Sequence, residues 1–379
     1  MKTVLGAEAR AMGRKQKWDL LSPHLRRHGR EALAYATLQE GMEYFVDDLG
    51  YIAFSSVTHP VFARHTRQIT LSDPVCALED QAKLIERFLS RFPHCAFGVI
   101  SEHCAGVLRG FGFKANGIGF EPEIPVQTYN TKGNWKELDM IKRARNEARR
   151  EGIVIREATP EDLDKDKLAA VSATWMKHKK LNDREIWLYA RRPVFEFEED
   201  VRKFVAYDRD GKIAGFVFYD PMYRDGQVVG YSANISRCDE QRFGRLATAV
   251  NMEAVDKFRG EGREVMNLLL APFVGLESAK YNDDLFSKLF FQASARFGNN
   301  IYNFKGLSFH KSKYRAPQKC LYFASNRWVP SNDIYLAFLS AEIAENYFST
   351  VFKLVSGACQ AALKWRPVLK RTEAGRIQA

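Results

Sequence analysis

The chain has 379 residues, is 46% hydrophobic, and sets 57 Lys and Arg against 46 Asp and Glu for a formal charge of +11. That length exceeds the size at which one core stops growing, so two domains are expected, and the apolar fraction excludes a disordered chain. The basic excess favours a polyanionic partner, nucleic acid or an anionic membrane surface, and charge alone does not choose between them. Six cysteines (Cys76, Cys95, Cys104, Cys238, Cys320 and Cys359) include no CxxC pair, which argues for reduced thiols in a cytosolic protein. His94-Cys95 and His103-Cys104 flank a buried-strand pattern and supply no second tight ligand pair, so neither a metal nor a bound cofactor is expected. There is no apolar leader segment and no run of about 18 uncharged apolar residues, and a soluble protein is expected.

Residues 1–45 read as helices carrying a basic cluster, Arg10 to Arg30. Two apolar runs around Asp47-Asp48-Leu49-Gly50 give a hairpin. Helical spacing of Leu78, Ala82, Leu84, Ile85, Phe88 and Leu89 predicts a helix over 78–92, followed by a strand over 95–100 and a short helix ending near Gly110. KELDMIKRARNEARR, 136–150, predicts a charged helix closed by Gly152. Lys142, Arg145 and Arg149 share one face of it, and Arg143, Asn146 and Arg150 the next. So dense a cationic face repels itself unless counter-charge approaches, so it reads either as a solvated linker or as a polyanion cradle.

The second half repeats the theme. A helix over 168–180 precedes a hairpin about Asp208–Gly211, a strand over 227–235, a helix over 245–259, a strand over 265–270, and a last strand near 321–325. Between the final two strands, Lys305–Pro317 packs Lys305, His310, Lys311, Lys313 and Arg315 among Phe309 and Tyr314. If extended, alternation puts Lys311, Lys313 and Arg315 on one side as a cationic rail suited to phosphate. After Pro330 an apolar stripe from Leu336 to Ala361 predicts a long C-terminal helix with a basic tail.

This order resembles GNAT acyltransferases, and the first half resembles a degenerate copy of it. The expected class is therefore α+β (α/β): tandem GNAT-like acyltransferase domains with open mixed sheets, plus a C-terminal helix. The expected division is 1–135, an N-terminal GNAT-like domain; 136–152, the basic linker helix; 153–330, the catalytic GNAT-like domain; and 331–379, an amphipathic helix and basic tail. Gln241-Arg242-Phe243-Gly244-Arg245-Leu246 approximates the pyrophosphate loop of that fold, with Leu246 where a small residue lets the backbone approach phosphate.

Motifs in shared order then point to one family. They are Gly50-Tyr51-Ile52-Ala53, Asp73-Pro74, Gly112-Phe113, Gly119 with Glu121, the basic run 142–152, Trp175 with Lys179 and Glu185, Asn267-Leu268 with Ala271-Pro272, and Gly306-Leu307 with Lys311 and Lys313. Over Gly50–Ser325 the chain resembles the phosphatidylglycerol lysyltransferase C-terminal domain family, tandem-GNAT transferases that take an amino acid from aminoacyl-tRNA. The resemblance implies a cytoplasmic aminoacyltransferase acting on an anionic lipid headgroup or a small hydroxyl or amine metabolite, with peripheral contact at the inner membrane face. Lipid-modifying members carry an N-terminal membrane domain that this chain lacks, so a lipid product is expected to stay in its leaflet. Where those members place an acidic residue near the helix start, Thr248 stands here.

An aminoacyl ester is already activated, so the site need only position an acceptor, take its proton and stabilise an oxyanion. Candidates for proton handling or for gripping the amino acid are Glu185, Asp220, Asp239 and His310. Asn234, Arg237 and Asn267 lie at strand ends facing the expected cleft. Lys142, Arg143, Arg145, Arg149, Arg150, Lys311, Lys313 and Arg315 are the tRNA and phosphate candidates. Two other readings stay open: a CoA-dependent GNAT N-acyltransferase using the 241–246 loop with acetyl-CoA or a longer acyl-CoA, and a non-catalytic RNA or membrane-surface adaptor.

Overall fold

The computed structural model describes residues 2–129, 138–177, 187–239, 241–297 and 303–343. A short strand, β1 (Lys2–Val4), leads into two helices, α1 (Gly6–Ala11) and α2 (Arg14–His28). The basic cluster is split there: Arg26 pairs with Glu199 and Asp200 at 3.1 Å each, while Lys17 is buried with its ammonium on the Gln39 carbonyl at 2.8 Å. Strands β2 (Glu43–Val46) and β3 (Gly50–His59) form the expected hairpin, and β4 (Ala63–Leu71) runs antiparallel to β3, with β5 (Val75–Cys76) beside its start. Helix α3 (Gln81–Arg91) buries Leu84, Ile85 and Phe88 at the spacing that predicted it. Then come β6 (Cys95–Ile100), parallel to β4, α4 (Glu102–Gly110) and the long β7 (Lys114–Pro125). The Ser101 hydroxyl starts α4 by accepting from the Cys104 amide at 3.2 Å.

The second half begins with α5 (Asp139–Arg150), ended at Gly152 with φ +66, and continues through β8 (Val154–Glu157) and α6 (Lys165–Lys177). Strands β9 (Arg202–Tyr207), β10 (Ile213–Arg224) and β11 (Gln227–Cys238) form an antiparallel meander, and α7 (Leu246–Gly260) crosses to β12 (Val265–Asn267), parallel to β11. After β13 (Ala271–Pro272) come α8 (Leu285–Phe297), α9 (Phe304–Ser312), β14 (Gln318–Ser325) and α10 (Ser331–Ser340). The duplication is thus visible in the topology. In each half an antiparallel pair feeds a crossover helix into a parallel strand, β4 to β6 through α3 and β11 to β12 through α7, and a helical stretch then leads to a final antiparallel strand.

Those final strands are exchanged. The central sheet order is β4-β6-β14-β7-β12-β11, so β14, expected to close the second half, lies between β6 and β7, and the end of β7 pairs with β12. One mixed sheet therefore runs through both halves, and one of its apolar clusters joins Leu71 and Val99 with Phe291, Phe304 and Phe323. Strand β12 stops at Asn267 rather than Leu270, because the Asn267 Oδ1 accepts from the Leu269 amide at 2.6 Å and Leu269 turns with φ +61. Beyond that point β11 runs on without a β12 partner, and the sheet opens. Helix α10 begins the expected C-terminal helix and buries Leu336, whereas the stripe from Tyr347 and the basic tail lie outside the described residues.

Candidate active site

Where β11 outruns β12, and the far end of β6 approaches from the other half, a cavity of about 640 Å³ opens. Its walls come from β11 (Asn234, Ser236, Arg237), the start of α7 (Ala247, Asn251), the turn Leu268–Leu270, α9 (His310, Lys311) and α10 (Ala337, Phe338), with Gly98 and Val99 of β6 opposite. The wall is mostly apolar with a few convergent polar groups, the composition of a ligand site. The backbone is strained here: Val99, Leu269 and Phe273, all lining, have φ of +58, +61 and +62. For a β-branched residue such as Val99 that conformation is costly, and such outliers concentrate at functional sites.

Lys311 is the central polar group. Asn303 starts α9, its Oδ1 accepting from the Gly306 amide at 3.1 Å, and a Cβ at Gly306 would sit 2.3 Å from the Asn303 Nδ2. The glycine thus lets the cap fold over the first turn. The helix carries Lys311 inward, where it is 9% exposed and donates from Nζ to the Leu270 carbonyl at 2.7 Å. Burial lowers its pKa to about 7, with the nearby Glu121 carboxylate acting in the opposite sense. Glu121, on β7, is itself pushed up to about 8, first by burial and then by Glu31 and Glu123. A neutral amine is therefore accessible at Lys311 near pH 7.

A second group orients β11. Asp220 is buried and accepts from Arg191 (Nε at 2.9 and 2.8 Å, Nη2 at 2.5 Å) and from the Asn234 Nδ2 at 2.7 Å. Arg191 also reaches Glu198 at 2.7 Å. Burial raises the Asp220 pKa and Arg191 opposes this. Because Nδ2 of Asn234 is held by Asp220, its Oδ1 is left buried with no hydrogen-bond partner among the described residues. The Arg237 guanidinium lies 3.8 Å from the Trp175 ring centroid, and both line the cavity.

The family described as phosphatidylglycerol lysyltransferase, C-terminal, matches residues 23–325. The chain belongs to this family. An uncharacterized protein of Corynebacterium glutamicum is 24% identical over 195 residues, 51% of this chain, and the match spans 24% of that relative's length. L-PGS from Bacillus licheniformis matches in structure with a TM-score of 0.68 and 19% identity, over 86% of this chain and 96% of that one. The C-terminal domain of a lysylphosphatidylglycerol synthetase candidate from Agrobacterium fabrum gives 0.68 and 18%, over 86% and 97%. A Bacteroides thetaiotaomicron protein of unknown function gives 0.51 and 13%, over 83% and 98%. These structural likenesses show the fold.

Within this family member the structure brings Asn234, Arg237, His310, Lys311 and Lys313 together on one cavity. Asp220 and Asn267 stand one layer behind, Asp220 holding Asn234 and Asn267 fixing the Leu268–Leu270 turn while donating to Glu123 at 3.2 Å. Glu185 lies outside the described residues. The extended rail is absent. Because α9 runs to Ser312, Lys311 turns inward, Lys313 sits 5.1 Å from the Phe309 ring at the cavity wall, and Arg315 is exposed in the following turn. Lys142, Arg143, Arg145, Arg149 and Arg150 on α5 are not among the lining residues, since α5 packs on α7. Arg145 is committed to Asp256, and Arg143 pairs with Asp139 at 2.8 Å. Arg149 and Arg150 are exposed.

Sequence reasoning missed Arg191, Tyr189 and Asn251, which line the cavity and carry no motif, and used Glu121 only as a family marker. Among the described residues no group of His, Cys, Asp and Glu is placed to hold a metal ion. The 241–246 loop reaches the cavity through Gly244, but Arg242 pairs with Asp208 at 2.8 Å, Arg245 pairs with Glu147, and Leu246 is buried.

Proposed function

We propose that this chain is an aminoacyltransferase that moves an amino acid from aminoacyl-tRNA to a hydroxyl or amine acceptor, an anionic lipid headgroup or a small metabolite, in the cavity between β11 and α9. The observation that carries the reading is Lys311, a cavity-lining amine whose pKa is lowered to about 7. With one N–H on the Leu270 carbonyl, its lone pair takes the acceptor's proton as the acceptor attacks the ester carbonyl carbon. The carbon–oxygen bond to the terminal ribose then breaks, and the ribose oxygen receives that proton. No covalent enzyme intermediate is needed.

The buried Oδ1 of cavity-lining Asn234, left without a hydrogen-bond partner among the described residues because Asp220 holds Nδ2, suits the amino acid's ammonium. Arg237 and Lys313 suit phosphate oxygens of the donor's end or of a headgroup, and exposed Arg149 and Arg150 would hold phosphates farther along the acceptor stem. A membrane-borne acceptor accords with Leu285, Phe286 and Leu289 of α8, which are 64%, 67% and 51% exposed and flank Lys288, on the helix whose Phe291 lines the cavity. No helix of the described residues is long and apolar enough to cross a membrane. In this reading the chain meets a bilayer at the cytoplasmic face, where charged tRNA is found.

The CoA alternative is disfavoured by the committed arginines of the 241–246 loop. Thermal-shift titration separates the two readings, because binding to the folded state raises Tm by mass action. An amide-linked aminoacyl adenosine is expected to raise Tm and acetyl-CoA to leave it unchanged. The reverse pattern would overturn the proposal.

A further inference from the structure

A second cleft, of about 610 Å³, opens at the other end of β6, lined by Arg64, His65, Arg67, His94, Arg327 and Trp328. Five residue steps separate His94, just before β6, from Val99 of the first cavity, roughly 16 Å. Its wall is the Trp328 ring, 89% exposed, far more than an indole without a partner ordinarily shows. The Trp328 carbonyl accepts from the Lys114 Nζ at 3.2 Å, and the same ammonium lies 5.6 Å from the ring centroid.

The floor is cationic and built. Arg67 is 4% exposed and donates to the Cys95 carbonyl at 3.0 Å, to the Asn326 Oδ1 at 3.1 Å and to the Asp333 Oδ2 at 2.5 Å. Its Nε is buried with no hydrogen-bond partner among the described residues. Arg327 shares the same Asp333, at 3.5 Å, so two guanidinium groups are met by one carboxylate. Arg64 is exposed beside them, and the His65 and His94 rings stack at 5.8 Å with 20° between their planes.

We infer that this cleft binds a nucleoside phosphate unit, the base stacked on Trp328 and the phosphate against Arg64 and the two histidines. A solvent-facing indole in one cleft with positive charge in excess of its carboxylate is the pairing that single-stranded nucleic acid uses, since every base offers a π-face and every linkage an anion. An apolar partner would leave the guanidinium charge unanswered, and a simple anion would leave the ring uncovered. The inference is independent of the transfer reaction, so its failure leaves that reading standing.

The test uses the intact protein and a 5′-phosphorylated single-stranded RNA pentamer labelled at its 3′ end, followed by anisotropy, with AMP as competitor. Trp328→Ala is expected to weaken binding by about tenfold or more, Trp328→Phe to retain most of it, and Arg64→Ala with His94→Ala to weaken it and flatten its salt dependence. AMP competing at the same concentration as unlabelled pentamer assigns the site to a free nucleotide, and much weaker competition assigns it to a strand. Pentamer binding that is absent, or unchanged in Trp328→Ala, overturns the inference.

Discussion

At the scale of single residues, the site depends on one lysine being buried. A lysine at its usual 10.5 would be charged throughout the neutral range, whereas Lys311 at about 7 is half neutral there. Only the neutral amine accepts a proton, so the transfer rate is expected to rise as pH passes upward through about 7 and to level off above it. Lys311→Met should lower the rate by about 10²-fold or more, and Lys311→Arg should not rescue it, because a guanidinium stays protonated. The same shift acts on stability. Between about 7 and 10.5 the unfolded chain binds the extra proton, so this group makes stability increase with pH in that window. A backbone counterpart is Gly119 on β7, with φ +145, where an added Cβ would lie 2.3 Å from the Ala271 carbonyl oxygen. Gly119→Ala should cost about 1–3 kcal/mol in urea unfolding, and a neutral result would mean that β7 and β13 part easily. None of the burial at Lys311 was legible in the sequence, where cations interleaved with aromatics read equally as a solvated strand. Arg191 was invisible for a simpler reason, since it gains its role only through Asp220 and Glu198, which are distant or unremarked in sequence.

At the scale of elements, turn chemistry and periodicity were informative where local physics decides. The Asp47–Gly50 and Asp208–Gly211 turns, the stripe of α3 and the Gly152 stop of α5 all stand where the residues put them. Helix α9 does not follow from alternation, because a cap three residues before Gly306 outweighs it. Asn303→Ala removes that cap and should cost about 1 kcal/mol in chemical denaturation. A fully retained stability would show that packing of Phe304 alone holds the helix. The charge on α5 was legible, but its commitment was not: Asp256, which holds Arg145, lies on α7, and only the fold brings the two helices together.

At the scale of the whole molecule, duplication was legible from the order of elements, and the exchange of β7 and β14 was not, because a strand's period reports which face is buried and nothing about its neighbour. The exchange has a physical consequence. Residues 1–135 alone would leave β6 and β7 without the strand between them, and 153–343 alone would leave β12 unpaired on one side. Each half expressed by itself is expected to be protease-sensitive with weak chemical-shift dispersion, and the two together to recover a single cooperative unfolding transition; a half that folds alone contradicts this. The cavity forms between those exchanged halves, which ties the chemistry to the complete sheet. The most direct measurement is single-turnover transfer from tRNA charged with radiolabelled amino acids, extracted into lipid and polar fractions, for the native chain and for Lys311→Met. The expected outcome is that label leaves tRNA for one of those fractions with the native chain and stays on tRNA with the variant. Label that stays on tRNA in both, or that moves equally well without the lysine, would contradict it.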